Sequence, residues 1–415
     1  MYENEIRPQR AMLVSLDTGE YDAEISLAEL EELTRTAGAE PALTLTQKRP
    51  APETATCIGS GMVEQVAELC SQQEIDLLIF DRELTPTQIR NLEKACGVRV
   101  IDRTTLILDI FAQRARSKEG KLQVELAQLR YLLPRLSGQG TALSRLGGGI
   151  GTRGPGETKL ETDRRHIRRR IGSLREQLRD VEAAREVIDR RRKKDGTVTV
   201  ALVGYTNAGK STLMNQLTQA GVLAEDKLFA TLDPTARALK LPCGKTVMLI
   251  DTVGLIRRLP HHLVEAFKST LEQAATADIL LNVCDASSGE ARDHLDVTNS
   301  LLNELGAAGH PIIPVLNKWD AVEDPDTAPR LPGAVRISAL TGEGIDRLLE
   351  AIEENLPEKT FPVELLLPFA KTGLAAKLRE EGAVLSEEYV PEGLRLSAQV
   401  DQRLYGLVKD YEITP

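Results

Sequence analysis

The chain contains, between a strand-like run and a helical pattern, the stretch Gly204-Tyr205-Thr206-Asn207-Ala208-Gly209-Lys210-Ser211. Apolar residues at 198–203 predict a buried strand before it, and residues 210–220 have helical periodicity. The glycines let backbone N–H groups curl around phosphate oxygens, as in a phosphate loop. We expect Lys210 to reach the β- and γ-phosphates and Ser211 to coordinate Mg²⁺. The stretch therefore predicts an α/β fold that contains a P-loop nucleotide-binding domain.

Two further motifs are expected to sense the γ-phosphate. Asp251-Thr252-Val253-Gly254 ends the apolar run 246–250, so that Asp251 would hold Mg²⁺ through water and the Gly254 N–H would meet the γ-phosphate. Phe229-Ala230-Thr231-Leu232-Asp233 lies before it and supplies a switch threonine that ligates Mg²⁺ only with GTP. Thr231 is the first choice and Thr235 the second. Lys210, Thr231 and Gly254 are the predicted catalytic residues, and Ser211 and Thr231 the predicted metal ligands.

The base is predicted to be guanine. Asn317-Lys318-Trp319-Asp320 follows another strand-like run, and the Asp320 carboxylate can accept hydrogen bonds from guanine N1–H and the 2-amino group. Adenine lacks both donors, so this carboxylate would be left without a partner in an ATP complex. Ser338-Ala339-Leu340 would offer the Ala339 N–H to guanine O6. The spacing of these motifs predicts a GTP- and GDP-binding site and a GTP hydrolase.

The rate of hydrolysis is expected to be slow. Leu255 follows Gly254, at the place where many GTPases carry the glutamine that orients the attacking water. Asn207 could instead help to hold a monovalent cation such as K⁺, or it could be a neutral polar residue of the loop.

The composition is that of a globular protein without a membrane segment. Of 415 residues, 41% are hydrophobic and 27% charged, and no apolar stretch approaches the ~20 residues that span a bilayer. The N-terminus is polar, without the apolar core of a signal peptide. The five cysteines form no C-x-x-C pair, which favours a reducing cytoplasm over a disulfide framework or a zinc site. We expect a cytoplasmic monomer with no membrane span.

The patterns divide the chain into four parts. Residues 1–115 alternate strands and helices, which predicts a small parallel α/β domain. Residues 116–195 contain two leucine and isoleucine stripes at heptad spacing, which predict an antiparallel helical hairpin with a glycine-rich loop at 137–157. The GTPase domain spans 196–357. Residues 358–415 have a β-α-β-β-α pattern, which predicts a small α+β C-terminal domain.

The hairpin differs in charge from the rest of the chain. Residues 153–194 contain 15 Lys and Arg against 8 Asp and Glu, although the whole chain has a net charge of −10. A basic segment on an acidic protein indicates a local contact with a polyanion. The candidate contact residues are Arg153, Arg164, Arg165, Arg168 and Arg169. A solvated helix face is the alternative reading.

The run 148–165, GGIGTRGPGETKLETDRR, resembles the signature of the HflX family of ribosome-associated GTPases. Residues 204–211, 229–233 and 251–255 are also similar to that family, including the apolar residue in place of glutamine. The resemblance implies binding to the large ribosomal subunit near its peptidyl-transferase centre, with the hairpin and its loop reaching rRNA. It further implies that GTP binding drives the splitting of stalled or idle ribosomes under stress, and that hydrolysis releases the factor.

Two other functions are consistent with parts of the sequence. One is a GTP-switched regulator of a non-ribosomal protein complex, with the hairpin as a protein-docking arm. The other is an ATP-driven RNA-remodelling enzyme with an adenine site in the N-terminal domain. The second is weakened because residues 1–115 contain no second phosphate loop.

Overall fold

The structure is a computed structural model that describes residues 7–136, 155–194, 197–218, 228–229, 235–258, 276–307, 309–325, 328–357, 361–381, 383–400 and 402–413. The chain divides into two compact units. Of the described residues, 7–183 and 228–229 belong to the first unit and the remainder to the second.

The first unit begins with a four-stranded parallel sheet of order β2-β1-β3-β4. Its elements are β1 (Arg10–Asp17), α1 (Ala23–Thr36), β2 (Glu40–Lys48), α2 (Ser60–Gln72), β3 (Leu77–Phe80), α3 (Pro86–Cys96), β4 (Arg99–Asp102) and α4 (Arg103–Arg114). Local sequence determines the helix starts. Asp22 caps α1, and Thr85 forms a capping box with Gln88 at the start of α3. The predicted parallel α/β arrangement is confirmed.

Helix α4 is absent from the sequence-based prediction. Its sequence, RTTLILDIFAQR, has apolar residues on several sides, and seven of its residues are buried. An apolar run of this kind lacks the one-sided periodicity by which a surface helix is recognised. The Asp102 side chain accepts a hydrogen bond from the Thr105 N–H and so starts the helix directly at the end of β4.

The helical hairpin consists of α5 (Lys118–Arg135) and α6 (Pro155–Lys194). Its seam buries Leu122 and Leu126 against residues of α6, and a two-pronged ion pair joins Arg170 to Glu125 (2.6 and 2.7 Å). The α6 residues of this core are Ile171, Leu174 and Leu178. Two expectations need correction. Helix α6 already begins at Pro155, inside the predicted loop 137–157, and Ile188, which belongs to the predicted heptad stripe of residues 116–195, is 52% exposed.

The second unit contains a six-stranded sheet of order β10-β9-β8-β5-β7-β6. Its elements are β5 (Thr199–Gly204), α7 (Lys210–Thr218), β6 (Thr235–Lys240), β7 (Thr246–Asp251), β8 (Ile279–Asp285), α8 (Ala291–Glu304), β9 (Ile312–Asn317), β10 (Val335–Arg336) and α9 (Ile345–Glu354). Strand β6, which the sequence did not predict, runs antiparallel to β7 at the sheet edge. Most of its side chains are exposed, so it lacks the apolar run of a central strand. The predicted helix at 263–275 lies outside the described residues.

The C-terminal segment forms β11 (Phe361–Leu367), α10 (Thr372–Glu381), β12 (Ala383–Val390), β13 (Gly393–Val400) and α11 (Gln402–Val408). Its antiparallel sheet has the order β11-β13-β12, and leucines and valines form its core. The predicted β-α-β-β-α pattern is confirmed. None of the described helices has both the length and the apolar composition needed to cross a membrane.

Candidate nucleotide-binding site

The phosphate loop joins β5 to α7, in the middle of the six-stranded sheet. Asn207 is exposed and takes a left-handed conformation (φ +59°), as does Gly209 (φ +89°). A side chain at Gly209 would collide with the Asn317 amide, so this position requires glycine. The loop is therefore shaped by its own sequence and by Asn317 at the end of β9.

Lys210 lies beneath the loop. Its side chain is buried, and its ammonium donates hydrogen bonds to the carbonyl oxygens of Gly204 (3.0 Å) and Tyr205 (2.7 Å). Burial lowers the pKa of Lys210 to about 8, while the charge of Asp251 opposes this shift. A buried cation at this point provides the charge that a nucleotide's phosphates require.

The predicted metal site brings together Ser211 and Asp251. The Ser211 hydroxyl donates to Asp251 Oδ2 (2.8 Å), and Asp251 is completely buried at the end of β7. Hydroxyl and carboxylate oxygens suit Mg²⁺, which takes one or two protein ligands and completes its shell with water and substrate phosphates. The described residues contain no cluster of three or more His, Cys, Asp and Glu that could hold a metal alone. The residues present thus fit a Mg²⁺ ion that arrives with GTP.

The segment after β7 folds back onto the phosphate loop. The Leu255 carbonyl accepts a hydrogen bond from the Thr206 N–H (2.7 Å), and the Leu255 N–H donates to Gly204 O (3.2 Å). A Cβ at Gly254 would approach Thr206 Cγ2 to 2.7 Å and Lys210 Nζ to 3.2 Å. Only glycine fits between these groups, which places the Gly254 backbone beside the phosphate position.

Thr252 and Val253 support this turn from behind. The Thr252 hydroxyl donates to the Leu202 carbonyl (2.7 Å), and Val253 is buried. Both were predicted as nucleotide-binding residues, and their described contacts are with the protein interior.

Asn317 ties three loops together. Its Nδ2 donates to the Ala208 carbonyl (2.8 Å), and its Oδ1 accepts from the Ala339 N–H (2.9 Å). The Asn317 side chain thus connects the end of β9 to the phosphate loop. The Ala339 N–H, which the sequence assigns to guanine O6, is engaged by Asn317 here. Ser338 is buried and its hydroxyl accepts from the Thr341 N–H (3.1 Å), while Leu340 is 78% exposed.

The residues predicted to bind the base, Lys318 and Asp320, follow β9. Lys318 has a left-handed backbone (φ +58°), and its ammonium pairs with Asp285 Oδ2 at 2.8 Å. Asp320 is exposed, so its carboxylate is accessible to a base. Trp319 stacks under the Arg336 guanidinium, 4.5 Å from the ring centroid.

Sequence reasoning missed Asp285, which holds the Lys318 ammonium from the end of β8. It missed as well a cluster beside the phosphate loop. The Tyr205 ring stacks on His294 (3.8 Å between centroids), and the Tyr205 hydroxyl accepts from the Arg257 N–H (2.8 Å). Arg257 in turn pairs with Glu290 (3.2 Å). The position of Asp285 at the end of a buried strand was a usable signal. No motif marks the Tyr205 cluster.

The predicted switch segment is described only in part. Phe229 is buried in the first unit, where its ring meets Phe111 edge-to-face with 4.7 Å between centroids. Ala230, Thr231, Leu232 and Asp233 lie outside the described residues. Thr235 begins β6 and stands opposite Asp251 in the β6–β7 register.

The candidate RNA contacts fall on α6. Arg165, Arg168 and Arg169 are exposed, and Arg164 is half-buried. The neighbouring Arg170 is exposed as well, but it forms the ion pair with Glu125. The glycine loop up to residue 154, with Arg153, lies outside the described residues, as do the side chains of the basic run 190–194.

The fold and this site together define the class of the P-loop GTPases. Three family models match the chain: "GTP-binding GTPase N-terminal" over residues 24–112, "GTP-binding GTPase Middle Region" over 114–192 and "50S ribosome-binding GTPase" over 199–318. The protein named GTPase HflX of Caldanaerobacter subterraneus subsp. tengcongensis is 52% identical over 406 residues, which cover 98% of this chain and 94% of the relative. The chain belongs to the HflX family of GTPases, as its sequence signature predicted.

Two more comparisons give the breadth of the likeness. The GTPase HflX of Escherichia coli is 44% identical over 408 residues, which cover 96% of this chain and 95% of the relative. The crystal structure of SsGBP in complex with GDP is 26% identical, covers 84% of this chain and 98% of that chain, and has a TM-score of 0.49.

Proposed function

We propose that this GTPase binds the large ribosomal subunit and dissociates stalled or idle ribosomes, with GTP binding driving splitting and hydrolysis driving release. The observation that carries the proposal is the exposed arginine row Arg165, Arg168 and Arg169 on α6, in a chain whose GTPase domain matches a model described as a 50S ribosome-binding GTPase. Guanidinium groups pair well with phosphate oxygens, so the row suits an rRNA backbone. The protein would act in the cytoplasm as a monomer.

We propose the following nucleotide roles, which the contacts of Lys210, Ser211 and Gly254 support. Asp320 selects guanine, Lys210 neutralises the β- and γ-phosphates, and Ser211 ligates Mg²⁺ beside Asp251. Thr231 is the switch ligand of Mg²⁺, and Gly254 reports the γ-phosphate through its N–H. Thr235 remains the second choice for the switch, since it stands opposite Asp251.

Slow intrinsic hydrolysis is proposed because of Leu255. Its side chain is buried and lines a small apolar cavity with Val203, Leu301 and Leu305. The Leu255 side chain cannot orient a water molecule, so we expect the ribosome to supply a group that positions the attacking water. K⁺ held by the exposed Asn207 is a further proposed contribution. Equal hydrolysis rates in Na⁺ and K⁺ would count against the cation.

Sedimentation with purified large subunits tests the proposal. The protein should pellet with them in GTP, less in GDP and without nucleotide, and binding should fall steeply with salt, because phosphate contacts release counterions. Stimulation of GTP hydrolysis by the same subunits and splitting of whole ribosomes are the second and third readouts. Salt-insensitive binding to a protein complex, with no effect of ribosomes, would favour the alternative of a GTP-switched regulator of that complex.

A further inference from the structure

Asp102 lies at the carboxyl end of β4 and is completely buried. Its two carboxylate oxygens accept hydrogen bonds from different parts of the chain. Oδ1 caps α4 through the N–H and hydroxyl of Thr105 (2.9 and 2.7 Å). Oδ2 accepts from the Leu84 N–H (3.1 Å), the Tyr131 hydroxyl and Arg135 Nη2 (3.4 Å). The second oxygen therefore faces the first helix of the hairpin.

The hairpin side of this contact comes from the last turns of α5. Arg135 is the final residue of that helix and donates to the Leu84 carbonyl as well (3.2 Å). Its guanidinium lies over the Tyr131 ring, 3.2 Å from the centroid. The predicted glycine loop begins two residues later, so the contact holds the end of α5 from which that loop departs.

The burial of Asp102 depends on this helix. A buried carboxylate without a cation is strongly destabilising, and Arg135 is the cation that pairs with it. Burial, followed by the charge of Asp102, raises the pKa of Tyr131, so the phenol remains a neutral donor at physiological pH. Docking of α5 and burial of the carboxylate are thus one coupled event.

The contact also occupies a place where other α/β folds bind ligands. Open parallel sheets bind small molecules at the carboxyl ends of their strands. Here the ends of β3 and β4 are filled by the chain itself, with Arg103 pairing with Asp81 (3.1 Å) and Arg135 with Asp102. This edge of the sheet therefore binds the hairpin at the position where other parallel sheets bind a ligand.

We propose that Asp102, Tyr131 and Arg135 form an arm lock, a set of positioning residues that fixes the loop-proximal end of the hairpin on the N-terminal sheet. The effect of the lock on ribosome binding rests on the proposed function, because the hairpin must be held in a fixed orientation to reach rRNA. Through this lock, the sheet of the N-terminal domain holds the helical hairpin in a fixed position.

The lock can be broken without removing the helix cap. Asp102→Asn retains an oxygen for Thr105 and removes the charge that faces Arg135, while Tyr131→Phe removes a single hydroxyl. Asp81→Asn is the matched control, since Asp81 is equally buried at the end of β3 but bonds Ser26 and Arg103 inside the sheet domain. Hydrogen exchange of the full-length protein should show residues 128–136 exchanging at least about tenfold faster in both lock variants. Asp81→Asn should change them less than about twofold. Unchanged exchange in both lock variants, or an equal rise in the control, would overturn the proposal.

A double-mutant cycle tests the charge coupling. Arg135→Met alone leaves the carboxylate buried without its cation, so Arg135→Met combined with Asp102→Asn should exchange more slowly than Arg135→Met by itself. Additive effects would contradict the lock.

Enzymatic readouts separate positioning from simple loss of folded protein. In Tyr131→Phe, GTP affinity and the maximal subunit-stimulated rate should stay within about twofold of the parent, while the subunit concentration for half-maximal stimulation rises several-fold. A fall in the maximal rate and in GTP-binding capacity together would indicate a merely structural role and would refute positioning. If the parent protein shows no subunit stimulation, the proposed function fails, and the exchange experiment still decides the lock.

Discussion

The carboxyl edge of the six-stranded sheet can be compared with that of the four-stranded sheet, because strands of both end in aspartates. In the GTPase domain, Asp251 is buried at the end of β7 and meets the Ser211 hydroxyl, whereas Asp320, in the turn after β9, is exposed to solvent. In the N-terminal domain, Asp81 and Asp102 are buried, and each pairs with an arginine of its own unit. The same topological position therefore carries an open site in one sheet and a filled one in the other.

The two edges differ in the segments that come directly after their strands. Glycine-containing loops come after the strands at the GTPase site, and a side chain at Gly209 or Gly254 would occupy the space beside the phosphate loop. At the N-terminal edge, α4 begins directly after Asp102 with Arg103, which pairs with Asp81, and the end of α5 places Arg135 beside Asp102. Small residues leave room for a ligand beside the aspartate. Where an arginine of the chain already pairs with the aspartate, that carboxylate stabilises the fold and is not available to a ligand. Substitutions at each edge can test this contrast.

The largest effect is expected at the open edge, from Asp320→Asn. The exposed carboxylate matches two donors of guanine, and an amide in its place presents a donor where an acceptor is required. GTP affinity should fall on the order of 10²- to 10⁴-fold, and xanthosine triphosphate should become the better ligand. Competition binding with both nucleotides measures this. Unaltered GTP affinity would show that Asp320 does not read the base.

The switch threonine should give the next largest effect. Thr231→Ala should lower subunit-stimulated hydrolysis about 10²-fold, because it removes a Mg²⁺ ligand that forms only with the γ-phosphate, while GDP affinity stays unchanged. Thr235→Ala is the matched control and should remain within about threefold of the parent. The reverse ranking in single-turnover assays would move the switch to Thr235, opposite Asp251.

Substitutions on the helical hairpin should have a smaller effect, confined to ribosome binding. Replacing Arg165, Arg168 and Arg169 with alanine should weaken large-subunit binding about tenfold or more and flatten the slope of log K against log salt by about two units. GTP affinity should not change, since these residues lie on the hairpin. The control Arg175→Ala/Arg179→Ala removes exposed arginines of the same helix nearer its middle. Equal losses in both variants would indicate a general charge effect.

The sequence predicted most of the fold, because apolar runs bounded by glycine and polar residues mark buried parallel strands in both units. Helix α4 was not predicted because it is buried on several sides, and β6 was not predicted because its side chains are largely exposed. Motif order predicts the nucleotide site, since those residue types follow from the chemistry of phosphate and guanine.

The arm lock could not be predicted from sequence in the same way. Tyr131 and Arg135 lie 29 and 33 residues after Asp102, and no local pattern connects them. Asp285 is a partly similar case, because its position at the end of β8 was a usable signal for a site, but its pairing with the distant Lys318 was not predictable. Pairings between distant residues depend on packing, which a single sequence does not display.

The smallest expected effect concerns the charge of Lys210. Burial lowers its pKa to about 8, whereas an unfolded lysine has a pKa of about 10.4. The unfolded chain therefore binds more protons between these values, and this residue's contribution to the stability of the nucleotide-free protein increases as pH rises from 8 to 10. Nucleotide binding has the opposite dependence, because phosphates need the ammonium form and raise its pKa.

GTP affinity should accordingly fall about fourfold between pH 7 and pH 8.5, where a growing fraction of Lys210 must take up a proton on binding. Isothermal titration calorimetry at pH 8 to 8.5, in buffers of different ionisation enthalpy, measures that uptake directly. In Lys210→Arg the guanidinium stays charged throughout this range, so proton uptake should disappear even if binding is weaker. Equal uptake in the parent and the arginine variant would assign the proton to another group. It would also mean that the buried lysine is already charged before the phosphates arrive.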